Sequence, residues 1–299
     1  MRWGADVRFV RMDRSSCSPA GAINRGLAAA RGELIGVMID GARLASPGLL
    51  RGALFADRVH DRAVIASLGF HLGPDVQMVS VANGYDQEAE DRLLEESGWT
   101  DDGYRLFDVS AFAGSSAGGW FAPIAESNAL FLRRQLWDEL GGVDERFVAP
   151  GGGLVNLDTY KRACELPGSQ LIVLLGEGTF HQVHGGVATN SVLSPWGTFH
   201  EEYVRLRGHA FSQPQIEPLY LGRVRACPKL HRHICAKRGG RTVALNLARW
   251  SPYPRAYEIP NATVTGSRAA RMAGSNPPPL ASGRYQARQT LGGVPAIMS

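Results

Sequence analysis

Asp40 is the first residue whose type and position suggest chemistry. It follows the apolar run LIGVMI at residues 34–39 and precedes Gly41. Ligands of open α/β sheets bind outside the carboxyl ends of strands, so a carboxylate here can face a metal ion or a sugar hydroxyl. The alternative is a turn aspartate that hydrogen-bonds to its own backbone. Asp40 alone leaves both interpretations open.

Two histidines, His181 and His184, form a second candidate group in the segment FHQVHGG. They lie three residues apart, just past the apolar strand predicted at residues 171–175. Imidazole is a common ligand in mixed metal sites and titrates near neutral pH. Hydrogen bonding within a turn is the alternative for both side chains.

The elements that must position these residues alternate between strand and helix, which predicts an α/β fold. Apolar runs and alternation predict the strands, and proline starts and glycine stops bound the helices. The first three elements read as a strand–helix–strand unit with a right-handed crossover. Strands are predicted at 7–12, 34–39, 63–68, 76–81, 128–132 and 171–175; helices at 20–31, 46–58, 86–97, 133–140, 154–166 and 196–208; and a loop at 100–120.

Composition and charge divide the 299 residues into two parts. The hydrophobic fraction of 44% is typical of a globular domain, expected at residues 1–225. Residues 226–299 are rich in Pro, Gly and Arg, and we expect a mostly disordered basic tail. The net charge from Lys229 onward is +10, against −6 before it. No apolar run is long enough for a transmembrane helix and no secretory signal is visible, so we expect a cytoplasmic protein.

Three stretches together resemble the core of family 2 glycosyltransferases. Residues 24–42, NRGLAAARGELIGVMIDGA, combine an Asn-x-Gly helix, an Ala-x-Gly-Glu turn, an apolar strand and a DxD-like end. Residues 128–134, NALFLRR, and 140–147, LGGVDERF, are similar to the second half of the family's domain, in the same order. The resemblance covers roughly residues 5–190. It implies a GT-A-like open mixed sheet flanked by helices, a nucleotide-sugar donor, a hydroxyl acceptor and a divalent cation, Mn²⁺ or Mg²⁺.

The resemblance also assigns roles to residues. Asp40, Gly41 and Asn24 would bind or shape the donor side. Asp40 and His184 would hold the cation, with Glu177 as a further candidate ligand. Asp158 and Glu126 are the candidate catalytic carboxylates. Asp144 and Trp120 are candidates for acceptor binding, since aromatic rings stack on sugar faces, although a Trp-Phe pair is more often part of a core.

Departures from the family pattern suggest an alternative function. The family's first strand–helix–strand unit, which binds the nucleoside base, has no counterpart, so we expect a truncated N-terminus and an open sheet edge. Ala42 replaces the second carboxylate of the DxD motif. Asn156 replaces the usual base, and an amide cannot accept a proton at neutral pH. The alternative is therefore a non-catalytic binding protein of GT-A fold or an inactive fragment.

A nucleic-acid partner is the third hypothesis, and it has the least support. Lys and Arg are scattered along the tail rather than clustered, and no RNA-binding signature occurs. A solvated tail explains the same charge.

Overall fold

The computed structural model describes residues 8–12, 17–39, 42–184 and 195–224, and the backbone of a short strand at 296–298. The α-helices are α1 (Ala20–Ala29), α2 (Leu49–Ala56), α3 (Gln77–Ala82), α4 (Gln87–Ser97), α5 (Arg134–Leu140), α6 (Val155–Cys164) and α7 (Trp196–Arg207). The strands are β1 (Leu34–Met38), β2 (Arg43–Ala45), β3 (Ala63–Leu72), β4 (Ser110–Phe112), β5 (Ala129–Arg133), β6 (Gln170–His181), β7 (Leu219–Gly222) and β8 (Ala296–Met298).

These strands form one open mixed sheet. Its order is β2-β6-β3-β5-β1-β8, and β4 pairs with β3 while β7 pairs with β6. The pairings β3–β6 and β6–β7 are parallel, and the other described pairings are antiparallel. The predicted α/β class with a mixed open sheet flanked by helices is confirmed at this level.

The two faces of the sheet pack against separate hydrophobic clusters, because alternate residues of a strand point to opposite faces. Ile65, Phe131 and Leu174 point to the face covered by α2. Their neighbours Leu132 and Val173 point to the larger cluster, which includes residues of α1, α5, α6 and α7. The strands are therefore buried on both sides, which explains their continuous apolar runs.

Gly36 allows the neighbouring strands β1 and β5 to approach closely. It stands directly opposite Phe131, and a Cβ atom at this position would lie 2.4 Å from the Phe131 ring. The phenyl ring occupies the space that any other residue at position 36 would need. The glycine inside this apolar run therefore has a packing reason.

β1 lies near one end of the sheet. β5 pairs along its whole length, whereas β8 pairs only with Gly36, Val37 and Met38. The predicted tail at 226–299 falls, up to residue 295, outside the described residues. The predicted domain boundary stays a prediction.

Two sequence predictions are wrong. Residues 76–81 were expected to form a strand but contain most of α3, in which Gln77 and Ser80 are buried while Val79 is 40% exposed. This i, i+3 burial is helical, and the short apolar run did not distinguish it from a strand. The alternating run at 7–12 predicted another strand, yet residues 8–12 have no regular structure and Phe9 is 73% exposed.

The expected strand–helix–strand unit is consequently absent from the described part of the chain. α1 leads into β1, whose described neighbours are both antiparallel. The helix expected from Ser46 begins at Leu49, and the Ser46 side chain contacts Glu177 and does not cap the helix. Part of the loop expected at 100–120 forms β4 and two short 3₁₀ helices.

None of the seven α-helices in the described ranges combines the length and hydropathy that crossing a bilayer requires, and the longest, α7, has 12 residues.

Candidate functional site

A row of three polar side chains crosses the sheet close to the carboxyl end of β1. Arg43 at the start of β2 stands opposite His181 at the end of β6, and His181 stands opposite His71 of β3. Residues directly opposite each other in neighbouring strands project to the same face. The imidazole centroids of His71 and His181 are accordingly 5.4 Å apart. We call these three residues the cross-strand row.

Gln77 of α3 fixes the two imidazoles of the row. Its backbone N–H donates to Nδ1 of His71 at 2.7 Å. Its side-chain oxygen contacts Nδ1 of His181, which places the proton of His181 on Nδ1 because an amide oxygen only accepts. On the other side of the ring, Nε2 of His184 lies 3.1 Å from Nε2 of His181.

The electrostatic environment keeps His71 neutral. Burial, the nearby His181 and the guanidinium of Arg43, in that order, lower the pKa of His71 to about 3. Arg43 is 7% exposed and its Nε donates to the carbonyl oxygen of Ile39 at 2.9 Å. The row therefore joins a fixed positive charge to uncharged imidazole.

Glu126 brings a carboxyl group to the same region. Burial raises its pKa, while Arg43 and hydrogen bonds with Ser115 and Asn128 oppose that shift. The backbone places it there, because the carbonyl oxygen of Asn128 accepts the N–H of Ile39 at 3.1 Å. Of the two predicted catalytic carboxylates, Glu126 is the one near the end of β1.

Asp40 and Gly41 lie outside the described residues, so their predicted donor and metal roles stay predictions. The residues on either side of them are placed. Ile39 binds Asn128 and Arg43 as described above, and the carbonyl oxygen of Ala42 accepts the N–H of Gln182 at 2.7 Å. The segment between Ile39 and Ala42 therefore begins and ends beside the cross-strand row.

Glu177 is engaged in holding α2. One carboxylate oxygen accepts from the Ser46 hydroxyl and from the N–H of Gly48 at 3.1 Å, and the other accepts from the Tyr104 hydroxyl at 2.8 Å. A Cβ at position 48 would lie 2.2 Å from the carboxylate, so glycine there permits the contact. Both oxygens of Glu177 are thus engaged in this arrangement, and its role as a further metal ligand stays a prediction.

Asp158 and Asp144 belong to a separate ion-pair network between α6 and α7. Arg207 donates to both carboxylates, at 2.6 Å to Asp158 and 2.8 Å to Asp144. Arg162 adds a 2.8 Å contact to Asp158, which is 1% exposed. Arg146, first, and Arg207 hold the pKa of Asp144 well below its usual range. Both aspartates are thus engaged by arginine, and their catalytic and acceptor roles stay predictions.

Asn24 connects the two halves of the resemblance. Its amide nitrogen donates to the carbonyl oxygen of Val143 and to Glu145, each at 2.8 Å, and its amide oxygen accepts the N–H of Val143 at 2.9 Å. Asn24 therefore ties α1 to the loop that carries Asp144. This agrees with a shaping role by packing, and its donor role stays a prediction.

Trp120 lies inside an aromatic cluster that includes Phe70, the neighbour of His71 in β3. It is 1% exposed, and its ring packs against Phe70, Phe107 and Phe112 with centroids 6.0 to 6.2 Å away. In this conformation the indole is part of the core rather than of a cleft wall. Its role as an acceptor platform stays a prediction.

The structure thus separates the predicted site residues into two groups. Glu126 and His184 lie with the cross-strand row, and Asn24, Asp144 and Asp158 lie with the arginine network. Sequence reasoning missed Arg43, His71 and Gln77. The position of Arg43, three residues after Asp40, was a visible signal, whereas the register that aligns it with His181 was not.

Of the candidate metal ligands, the structure describes His181 and His184 but not Asp40. Across the described ranges, no three His, Cys, Asp or Glu side chains lie close enough to hold one ion. The facing Nε2 atoms of His181 and His184 supply two imidazole ligands of suitable chemistry. Asp40 would have to complete the set.

The sequence matches no model of a known protein family and no curated protein. The likeness to family 2 glycosyltransferases therefore rests on the motifs quoted above.

Proposed function

We propose that the chain is a GT-A-like glycosyltransferase that moves a sugar from a nucleotide-diphosphate sugar to a hydroxyl acceptor. One observation carries the proposal: the first two of the three stretches that resemble the family pair as neighbouring strands, and the carboxyl end of β1 lies beside the cross-strand row. β1 pairs with β5 over residues Leu34–Met38, and Trp137 donates its indole N–H to the carbonyl oxygen of Ile35 at 3.1 Å. A working transferase needs these stretches joined around the donor.

Glu126 is the carboxyl group best placed to act as general base. In the proposed step the acceptor hydroxyl gives its proton to Glu126, its oxygen bonds to the anomeric carbon, and the bond from that carbon to the diphosphate breaks with its electron pair on the diphosphate. A pKa raised by burial brings a carboxylate closer to the range in which it accepts a proton efficiently. Asp158, bound by two arginines, is less suited to this task.

A divalent cation belongs to the proposal through the resemblance. Asp40 and His184, with His181 beside it, would hold it, and it would neutralise charge on the departing diphosphate. Other residues of the chain would orient these ligands. Gln77 orients His181, and the backbone of Asn128 holds Ile39 at the end of β1.

Release of nucleoside diphosphate tests the proposal. UDP- and GDP-linked sugars are incubated with the chain and a mixture of simple sugar acceptors, and UDP or GDP is quantified. We expect release by the wild-type chain and a loss of at least about 100-fold in Glu126→Gln, since general-base catalysis contributes roughly that much. Glu95→Gln, an exposed position on α4, is the matched control.

A non-catalytic binding protein of the same fold is the second candidate. Ala42 and Asn156 stand where the resemblance requires acids, and these two residues favour it. Binding of a nucleotide sugar without any release of nucleoside diphosphate would select this function over transfer.

A further inference from the structure

Glu202 of α7 is a buried carboxylate that belongs neither to the cross-strand row nor to the ion-pair network around Asp158. The residue is 7% exposed. Its Oε1 atom accepts the backbone N–H groups of Val148 and Ala149, at 3.0 and 3.1 Å. Nη2 of Arg205 lies 3.8 Å from the same oxygen. Oε1 therefore ties α7 to the loop that precedes α6.

The second oxygen, Oε2, is buried and has no hydrogen-bond partner in the part of the chain that the structure describes. It faces Gly153: a Cβ atom there would lie 3.1 Å from Oε2 and 3.6 Å from the ring of Phe199. Buried polar atoms are almost always hydrogen-bonded, because a buried acceptor without a donor costs free energy. A ligand that supplies the donor would explain this oxygen.

Three consecutive glycines cover this oxygen, and we call residues 151–153 the triglycine loop. Gly151, Gly152 and Gly153 have φ angles of 69°, 87° and 53°. Gly151 is exposed and Gly153 is half-buried, so Oε2 lies beneath a stretch of surface without side chains. Glycine permits close approach of the backbone to a ligand and changes conformation at little steric cost. A small movement of this loop therefore suffices for a ligand to reach Oε2.

The triglycine loop lies at the same end of the sheet as the cross-strand row. The N–H of Gly151 donates to the carbonyl oxygen of Cys17 at 2.9 Å, just before α1. Only residues 30–33 join α1 to β1, and both elements contribute to one hydrophobic cluster. The chain therefore reverses direction between them, which places the start of α1 near the carboxyl end of β1.

A hydroxyl group is the ligand that suits Oε2 of Glu202. The oxygen requires one donor, and a neutral O–H supplies it. A divalent cation suits the position less, because it takes about six oxygen ligands and would meet the Arg205 guanidinium beside the carboxylate.

We propose that Glu202 binds a hydroxyl group of the acceptor at the triglycine loop, through a hydrogen bond from that hydroxyl to Oε2. The inference rests on the proposed function for its ligand class. The bound hydroxyl is a different one from the hydroxyl that gives its proton to Glu126. Glu202 thereby selects acceptors that carry at least two hydroxyl groups, as a sugar does.

Saturation-transfer NMR on the full chain tests the proposal with three probes: D-glucose, D-galactose and D-mannose. We expect at least one of them to bind the wild type, and Glu202→Gln to weaken its binding about 10-fold or more, the effect of a hydrogen bond to a charged group. Glu201→Gln, exposed on the same helix, is the matched control and should bind as the wild type does. The proposal is overturned if none of the sugars binds, if Glu202→Gln binds as well as the wild type, or if Glu201→Gln loses as much.

Stability separates a binding role of Glu202 from a structural one. In Glu202→Gln the amide oxygen can still accept the N–H groups of Val148 and Ala149, while the buried charge is removed. The variant should therefore resist urea at least as well as the wild type while binding sugar more weakly. A lower free energy of unfolding together with weaker binding would reduce the effect to a structural one and overturn the proposal.

The wild-type ¹H–¹⁵N spectrum decides if Glu202→Gln does not fold. The amide signals of Val148, Ala149 and Gly153 should then move when the sugar is added, and unchanged signals would overturn the proposal. Sugar binding that depends on Glu202 without any release of nucleoside diphosphate would leave this inference standing and defeat the proposed transfer. Release with the same acceptor KM in the wild type and in Glu202→Gln would do the reverse.

Discussion

Arg43 and His181 stand directly opposite each other in the antiparallel pair β2–β6, and both are buried. The pairing places a permanent cation beside an imidazole whose proton is fixed by Gln77. Neither residue is near the other in the sequence. The polar row at the end of β1 is therefore a product of sheet register, and its properties can be tested residue by residue.

Gln77 is expected to determine the tautomer of His181. Gln77→Leu removes the acceptor of the Nδ1 proton, so the proton should redistribute between the two ring nitrogens, which ¹⁵N NMR of the imidazole detects. Losing the bond in a buried position should lower the free energy of unfolding by about 1–3 kcal/mol. Gln87→Leu, exposed at the start of α4, is the control. An unchanged His181 tautomer in Gln77→Leu would refute this role.

Asp158 is expected to matter for stability. Asp158→Asn leaves Arg207 and Arg162 without their buried carboxylate, and the free energy of unfolding should fall by about 3 kcal/mol in urea denaturation. The exposed pair Arg62–Glu139 provides the comparison, and Glu139→Gln should cost less than about 1 kcal/mol. Equal losses of unfolding free energy in the two variants would show that the buried Asp158 ion pairs stabilise the fold no more than the exposed pair does.

The lowered pKa of His71 is expected to make the free energy of unfolding depend on pH. Its pKa is about 3 in the folded chain and about 6.5 when unfolded, so the unfolded chain binds more protons between these values. Protonation of His71 in the unfolded chain therefore does not affect the free energy of unfolding above pH 6.5. As the pH falls from 6.5 towards 3, it lowers that free energy by up to about 1.4 kcal/mol per pH unit.

His71→Asn tests this dependence, because the amide oxygen can still accept the N–H of Gln77 but does not titrate. The difference in unfolding free energy between wild type and variant should narrow as the pH falls from 6.5 to 4. Protonation of Asp144 at low pH lowers the stability of both proteins equally, so it cancels in this difference. The exposed His209→Asn is the control, and a pH-independent difference for His71→Asn would contradict the account.

Gly36 is expected to tolerate no side chain. Gly36→Ala would place a methyl group 2.4 Å from the Phe131 ring, and overpacking of this kind costs about 1–3 kcal/mol. Gly114→Ala, where no atom lies within 4 Å of the added Cβ, should be nearly neutral. In the Gly36→Ala background, Phe131→Leu should restore part of the loss. A double variant less stable than Gly36→Ala would argue against the clash.

Local sequence patterns predicted the elements well where a helix was long enough to repeat its apolar pattern or where a strand was fully apolar. β1 and α4 lie where the sequence placed them, because β1 is a continuous apolar run and α4 is bounded by Asp86 and Gly98. α1 begins at the predicted Ala20 but ends at Ala29 rather than at Arg31. The six-residue α3 was mistaken for a strand because so short a run of apolar residues fits either period. The segment at 8–12 alternates but finds no partner strand among the described residues.

The candidate site was less predictable than the fold for a physical reason. Glu126 and His184 could be chosen by residue type, but the convergence of Arg43, His181 and His71 depends on the pairing of three strands distant in sequence. Asp158 looked available on a helix, and only the approach of Arg207 from α7 showed that it is paired.

Calorimetric titration of UDP and GDP in the presence of Mn²⁺ tests most directly the claim that the end of β1 is a donor site. The account predicts that at least one of them binds the wild-type chain, and that Asp40→Ala and His184→Ala each weaken binding while the exposed control Asp101→Ala does not. A folded wild-type chain that binds neither nucleotide would contradict the account.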